Sequence, residues 1–388
     1  MSASRPGLLF IVNSLEVGGA EKQVVTLLNH LDTRHFRLHL AYLKPADRLL
    51  PQLDAGKLDA LVCCKVAHGL ELHAIRQLAT LIQAYRIDAV VCTNTYSMLY
   101  GSLARARSRP KPKLATVFHT TLLHTYKEKV QMLLYRRLFR RSDLLIYVSE
   151  NQRDHWRDWG LRAAADAVVH NGIDVEHFAA ARTPQHENLR ASLGLAAGDY
   201  VIGLCSGLRP EKAHGDLLNA LAQLRGRGIA AKALLIGDGP ERARIESLAR
   251  ELAIQEHVII TGLQNDVRPY IACCDVMTLV SHTETFSLAA LESMALGKPL
   301  VMSDIGGASE QVVHGQTGLL FEPRDITALT EQLATLQSAP LRARMGAAAE
   351  RRVHELFTLR SMTEGFTAQM SRLLSGSPFI SSSLASSS

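Results

Sequence analysis

The sequence predicts an α/β protein made of two domains, each built on a parallel sheet. Three observations carry this expectation. Short, continuously apolar runs of strand length alternate with helical segments, a second series of such runs follows a polar break near mid-chain, and the chain is 388 residues long. Strands that are apolar along their whole length fit a sheet covered by helices on both faces. A chain of this length is long for one domain and comfortable for two, each large enough to bury its own core. With 47% hydrophobic and 21% charged residues, the composition is that of an ordinary globular protein.

Taken in order, the first series opens with a strand at residues 8–15, and Gly18-Gly19 turns the chain into a helix over about residues 21–31. Strands follow at 38–43, 89–92, 114–118 and 144–148, with helical segments between them. The polar, Pro- and Gly-containing stretch 171–199 is the break and contains the hinge. The second series has strands at 200–204, 233–236, 258–261, 276–280 and 300–303. The run SLAALESMAL, stopped by Gly297 and Pro299, predicts a helix that begins near Phe286 or Ser287. A final helix is expected beyond Glu355, and the terminal SGSPFISSSLASSS is expected to be disordered. The resulting division is 1–172, 173–355, a helix at 356–374 and a tail at 375–388.

Several function classes recede on composition. Aromatic residues make up 5% of the chain and no nucleic-acid-binding motif occurs. The six cysteines, at 63, 64, 92, 205, 273 and 274, sit mostly in apolar runs without Cys-x-x-Cys spacing. They read as reduced thiols of a cytoplasmic protein. The start MSASRPGLLFIV lacks the small-residue cleavage site of a signal peptide, and no apolar run reaches membrane-spanning length. No Asp-x-Asp pair and no His/Cys/Asp cluster with ligand spacing is found, so no metal is expected to carry the chemistry.

The net charge of +6 calls for a partner. Segment 126–141, YKEKVQMLLYRRLFRR, places Lys127, Lys129, Arg136, Arg137, Arg140 and Arg141 beside Met132, Leu133, Leu134, Leu138 and Phe139. Such a basic amphipathic helix can lie on an anionic membrane surface, or it can pack its apolar side on the domain core.

The candidate chemistry gathers at strand ends. Gly18-Gly19 follows a strand and opens a helix, so its amides can approach a phosphate; a tight βα turn without a ligand looks the same. Neither this turn nor Gly237-Asp238-Gly239 completes Gly-x-Gly-x-x-Gly, since Arg242 holds the last position of the second, which counts against a dehydrogenase. Arg209 and Lys212 follow the first strand of the second series and could neutralise a departing diphosphate, although most Lys and Arg are simply solvated. Glu284 lies in the loop before the predicted helix and Glu292 one to two turns inside it, with free amides at a positive dipole end between them. Two carboxylates around an anion seat could grip the hydroxyls of a sugar nucleotide. On spacing alone the same pattern fits an amphipathic helix with one solvated glutamate. His119 directly follows a buried strand.

The Glu284-x7-Glu292 pattern, followed by Met294, Ala295, Gly297 and Pro299, resembles the signature of the retaining family 4 of nucleotide-sugar glycosyltransferases. In the same order come Gly18-Gly19-Ala20-Glu21, His119, His170-Asn171-Gly172-Ile173-Asp174, Arg209-Pro210-Glu211-Lys212, Gly237-Asp238-Gly239-Pro240, Gly306-Gly307 and Thr317-Gly318-Leu319. The resemblance implies the GT-B fold: two Rossmann-like domains facing across a cleft, the first on the acceptor side, the second binding the donor, and a last helix crossing back to the first. It implies that Glu284 holds the hydroxyls of the donor sugar and Glu292 the ribose. Lys212, Arg209, the Gly18-Gly19 turn and the amides of Phe286, Ser287 and Leu288 would hold the diphosphate. His119 would orient the donor, and Gly262 and Leu263 would border the base.

Two departures stand out. Gly207 occupies a position where the family commonly has Arg, so Arg209 must reach the phosphates from two residues further on and Lys212 becomes the principal ligand. Thr285 and Ser287 replace frequent glycines and make the loop bulkier. The implied activity is metal-independent, retaining transfer from a UDP- or GDP-linked sugar to a glycan or lipid-linked saccharide, with no cofactor beyond the donor. The expected setting is bacterial cell-surface polysaccharide or lipopolysaccharide synthesis, in the cytoplasm or on the inner face of the membrane. A GT-B sugar-nucleotide epimerase and a non-catalytic glycan-binding relative are the alternatives.

Overall fold

The computed structural model describes residues 5–121, 126–179 and 185–379. Two units emerge: Met1–Asn171 together with Leu359–Ser388, and Gly172–Thr358. In the first, seven strands form one sheet: β1 (Gly7–Val12), β2 (Arg37–Tyr42), β3 (Leu58–Cys63), β4 (Ile87–Thr93), β5 (Lys113–Phe118), β6 (Leu144–Tyr147) and β7 (Asp166–Val168). Every neighbouring pair is parallel, in the order β3-β2-β1-β4-β5-β6-β7.

The central strand β1 explains why its sequence is apolar throughout. Side chains alternate across a sheet, and here both faces are covered. Leu8, Phe10 and Val12 enter one core with Val24 and Leu27 of the helix Gly19–His30. Leu9 and Ile11 enter the opposite core with the helices Leu72–Ala84 and Asn94–Arg107. The helix Leu359–Ser375 belongs to the first of these cores through Met362, Phe366, Met370 and Leu373. The ring of Phe366 stacks on that of Phe10 with centroids 5.8 Å apart.

The second unit repeats the plan with six strands: β8 (Tyr200–Cys205), β9 (Ala231–Ile236), β10 (Val258–Ile260), β11 (Val276–Leu279), β12 (Leu300–Ser303) and β13 (Gly318–Phe321). They are parallel in the order β10-β9-β8-β11-β12-β13. Counted from its own first strand, each unit begins 3-2-1-4-5-6, the Rossmann order, and the first unit adds a seventh strand. The order reverses between β1 and β4 and between β8 and β11. Ligands of such sheets sit outside the carboxyl ends of the strands at that reversal.

Differences from the sequence expectation are concentrated at edges and ends. Strand β1 stops at Val12, short of residue 15, and the following helix starts at Gly19 instead of 21. Strands β3, β7 and β13 were not expected. The first two lie at or near the sheet edge and are only half-buried, so they lack a continuous apolar run, and β13 is four residues long. The helix Ala339–Leu356 runs through Glu355, and Leu359–Ser375 follows it. Within the expected break lie the helices Val175–Ala179 and Gln185–Ser192. Residues 380–388 of the expected tail and the side chains of Lys127, Lys129 and Leu134 in the expected basic helix lie outside the described residues. Among the described residues no helix is long and apolar enough to cross a membrane.

Both tryptophans, Trp156 and Trp159, lie in the first unit, and Trp156 is fully buried. Their fluorescence therefore reports unfolding of that unit. Phe366→Ala should lower its stability by roughly 3–5 kcal/mol, the usual cost of truncating a buried Phe. An unchanged urea midpoint by tryptophan fluorescence would mean the helix contributes nothing to that core.

Candidate active site

In the second unit the chain leaves β8 through Ser206, Gly207 and Leu208. Leu208 is tied to the turn after β9 by its amide on the Asp238 carbonyl (3.0 Å) and by the Glu241 amide on its own carbonyl (3.0 Å). A side chain at Gly239 would collide with the Leu208 backbone, so only glycine permits this approach. Arg209 then precedes the 3-10 turn Pro210–Lys212, and Ala213, at φ +50, redirects the chain into the helix His214–Gly226. This turn presents Lys212 at the strand-order reversal.

The loop after β11 meets it. Lys212 Nζ lies 2.7 Å from Glu284 Oε2, and each side chain is about one-fifth exposed (23% and 19%). Glu284 Oε1 also accepts from the Thr285 amide at 3.3 Å. Two further bonds join the same segments: the His282 amide donates to the Glu211 carbonyl (2.9 Å), and His282 Nε2 lies 2.8 Å from Asp216 Oδ2. On its other side the loop rests on the turn after β12. The Gly307 amide donates to the Thr285 carbonyl at 2.8 Å, and Gly306, at φ +56, passes so close to the Glu284 carbonyl that any Cβ would overlap it.

The helix expected from Phe286 or Ser287 runs from Leu288 to Ala295, with Ser287 as N-cap accepting from the Ala290 amide at 3.3 Å. The role expected for the Ser287 amide needs correction. It donates to Gln311 Oε1 at 3.1 Å, while Gln311 Nε2 donates to the Ser287 carbonyl at 2.8 Å. A fully buried glutamine thus occupies both backbone groups of Ser287, and the amide is not available to a phosphate. The first-turn amides of Leu288 and Ala289 have no partner within the helix by its geometry. Phe286 is buried against Phe357, with ring centroids 5.4 Å apart, and Glu292 is 5% exposed.

The remaining candidates divide between the two units. Arg209 is exposed and curls toward Gly207. Gly262 bridges Gly237 at the carboxyl ends of β10 and β9, and Leu263 beside it is 62% exposed. Gly18, Gly19 and His119 belong to the first unit, after β1 and β5. Gly18 caps the helix Gly19–His30 in an extended conformation. The His119 amide donates to Asn94 Oδ1 at 2.8 Å, and Asn94 starts the helix after β4 at φ +64, a region Asn tolerates. His119 lines a small cavity of about 30 Å³ with Phe10, Thr93, Ile146, Met362 and Phe366.

Burial lowers the His119 pKa to about 4, so its imidazole is neutral at neutral pH. His214, 3% exposed and 3.3 Å from Ser206 Oγ, is lowered to about 4 by burial and then by the Lys212 charge. Sequence reasoning missed Asp216, His282, Gln311 and Asn94. His282 was within sight, two residues before Glu284, but its partner Asp216 is 66 positions away and nothing local joins them.

The fold recurs among solved structures. HepE of Anabaena in complex with UDP and glucose superimposes with a TM-score of 0.82 at 23% identity, covering 94% of this chain and 99% of that one. Sucrose-phosphate synthase of Thermosynechococcus elongatus gives 0.79 at 20% identity, covering 96% and 100%. These likenesses establish the fold, the two Rossmann-like domains of the GT-B architecture. Residues 17–177 match the family described as Glycosyltransferase Family 4, and residues 185–352 match Glycosyl transferases group 1. The chain belongs to family 4 of the glycosyltransferases.

Among curated relatives, N-acetyl-alpha-D-glucosaminyl L-malate synthase of Bacillus anthracis is 35% identical over 170 residues, 44% of each chain. The GDP-mannose-dependent alpha-(1-6)-phosphatidylinositol monomannoside mannosyltransferase of Mycolicibacterium smegmatis is 30% identical over 252 residues, 62% of this chain and 64% of its own. The chain thus spans less than two thirds of the length of these two relatives.

A pH dependence follows from His214. Its folded pKa of about 4 lies below the unfolded value near 6.5, so its contribution is complete above pH 6.5 and is lost as pH falls toward 4. The full loss is roughly 3 kcal/mol at most. Urea unfolding followed by circular dichroism should show declining stability from pH 6.5 to 4.5, and His214→Asn should make that decline shallower, leaving the part that His119 contributes over the same window. An equally steep decline in the variant would remove His214 as its source.

Proposed function

We propose that the chain is a retaining glycosyltransferase that moves a sugar from a UDP- or GDP-linked donor to a glycan or lipid-linked saccharide, without a metal. The observation that carries this reading is the Lys212–Glu284 pair at the carboxyl ends of β8 and β11. A cation and an anion held together there are matched to the two parts of a sugar nucleotide. As the donor enters, Lys212 exchanges Glu284 for the diphosphate, and Glu284 exchanges Lys212 for sugar hydroxyls. Lys212 then meets the charge that grows on the leaving phosphate oxygen, where electrostatic stabilisation counts most. Arg209 adds to this phosphate seat, together with the amides of the Leu288 helix start.

In the reaction the acceptor oxygen bonds to the anomeric carbon on the face from which the diphosphate departs. The glycosidic electron pair leaves with the diphosphate, and the acceptor proton passes to its oxygen. Glu292 binds the ribose, and Gly262 and Leu263 border the base. The names of relatives support both nucleotide choices, since HepE was solved with UDP and with UDP-glucose and the mycobacterial relative is named for GDP-mannose. Cell-surface polysaccharide synthesis on the cytoplasmic side of a membrane is the setting this reading favours.

Incubated with a panel of UDP- and GDP-sugars in the absence of metal, the protein should release nucleoside diphosphate from one donor. Lys212→Ala should cut that rate by roughly 100-fold or more, as loss of a transition-state donor does. Glu292→Ala should weaken nucleotide binding in calorimetry roughly tenfold, the effect of about 1.4 kcal/mol. Wild-type turnover in the Lys212 variant would sink the phosphate assignment, and a donor isomerised without release would make the chain an epimerase.

A further inference from the structure

We propose that the Ser206 hydroxyl is a further ligand of the donor diphosphate and that the buried imidazole of His214 turns it toward that ligand. This role rests on the transferase reading above and involves two residues that reading does not use. Ser206 is the first residue beyond β8, on the edge of the sheet where the strand order reverses. Ligands of such sheets lie outside that edge. Its backbone is fixed there. The Ser206 amide donates to the Ile236 carbonyl at 3.1 Å, and Gly237, at φ +147, lies so near the Ser206 carbonyl that any Cβ would overlap it. From 206 to 209 the chain reads Ser-Gly-Leu-Arg, so only the first and last of these side chains can donate to an anion. Arg209 is exposed and curls toward Gly207, whereas Ser206 is half-buried at the strand end itself.

The orientation of the hydroxyl follows from a count of protons. A serine hydroxyl carries one proton and two lone pairs. Among the described residues its oxygen has one side-chain partner, His214 Nε2 at 3.3 Å. His214 is 3% exposed, and burial followed by the Lys212 charge lowers its pKa to about 4, so at neutral pH its ring carries a single proton. Nδ1 is buried and has no hydrogen-bond partner. A proton on Nδ1 would therefore be an orphaned buried donor. On Nε2 it is donated to Ser206 Oγ, and only a lone pair goes unmatched. Orphaned buried N–H groups are rarer than under-satisfied acceptors, which favours Nε2.

Ser206 thus accepts from His214 and keeps its own proton for another acceptor. The diphosphate assigned to Lys212 supplies one, because Lys212 lies close enough to His214 for its charge to be felt there. A hydroxyl bonded to an ionised oxygen makes one of the stronger hydrogen bonds. A serine and a histidine joined for packing alone would show the same separation, but that hydroxyl would be indifferent to phosphate.

The test uses the full chain and calorimetry. Binding of UDP and GDP is compared with binding of uridine and guanosine, which lack the phosphates. Ser206→Ala should weaken binding of the preferred nucleoside diphosphate at least about tenfold, as loss of a hydrogen bond to a charged group does, and should leave nucleoside binding as it was. Ser206→Thr, which keeps the hydroxyl, should recover most of that affinity. Equal losses for nucleoside and diphosphate would make Ser206 a packing residue, and no loss for the diphosphate would remove it from the site. Either result overturns the assignment while the wild type's own nucleotide binding leaves the transferase reading standing. A wild type that binds neither diphosphate would overturn that reading and this role together. The orientation is checked without a ligand, by nitrogen NMR of the isotope-labelled protein at neutral pH. The His214 ring, identified by the signals lost in His214→Asn, should carry its proton on Nε2, and a proton on Nδ1 would overturn its part in turning the hydroxyl.

Discussion

Burial of β1 and β8 on both faces constrains each unit of this protein. A strand covered on both sides needs apolar residues at every position and helices above and below. Parallel neighbours cannot be joined by a hairpin, so each connection becomes a crossover. The crossovers align all carboxyl ends on one edge of each sheet, and starting from a central strand forces the order to reverse beside it. Loops from β8 and β11 therefore open side by side, and Lys212 meets Glu284 although 72 positions separate them.

The loop carrying Glu284 is held from two directions by bonds that involve few side chains. Its backbone pairs with the Glu211 carbonyl on one side and the Gly307 amide on the other, and His282 reaches Asp216 on the helix after Lys212. Gln311 fastens the next segment by taking both backbone groups of Ser287. Such bracing suits a site in which an internal ion pair must open for a ligand: the charged tips can change partners while the backbone beneath them keeps its register. Ser287 is used as a helix cap while Gln311 takes its amide, so the unbonded amides of the helix start are those that follow it.

The parts of the fold that could be read in advance were those with short-range signals. Central strands announced themselves as apolar runs, and the helix after Ser287 was marked by good helix formers with a Gly and Pro stop. Edge strands β3 and β7 were silent because one side of an edge strand carries no burial requirement. Lys212, Glu284 and His119 could be singled out because each lies in a local motif at a strand end, and Glu292 because it stands eight residues after Glu284 in the helix that follows. Asp216, Gln311 and Asn94 had no such motif, since each acts through a partner distant in the chain.

The sequence by itself determined the α/β class, the two-series organisation and the short motifs that point to a sugar nucleotide, because all of these are properties of neighbouring residues. Only the tertiary structure decided which motif residues touch and that the Ser287 amide is occupied by Gln311. Those facts depend on how crossovers bring separate stretches together. Side-chain contact across such distances is set by packing, and no local pattern encodes it.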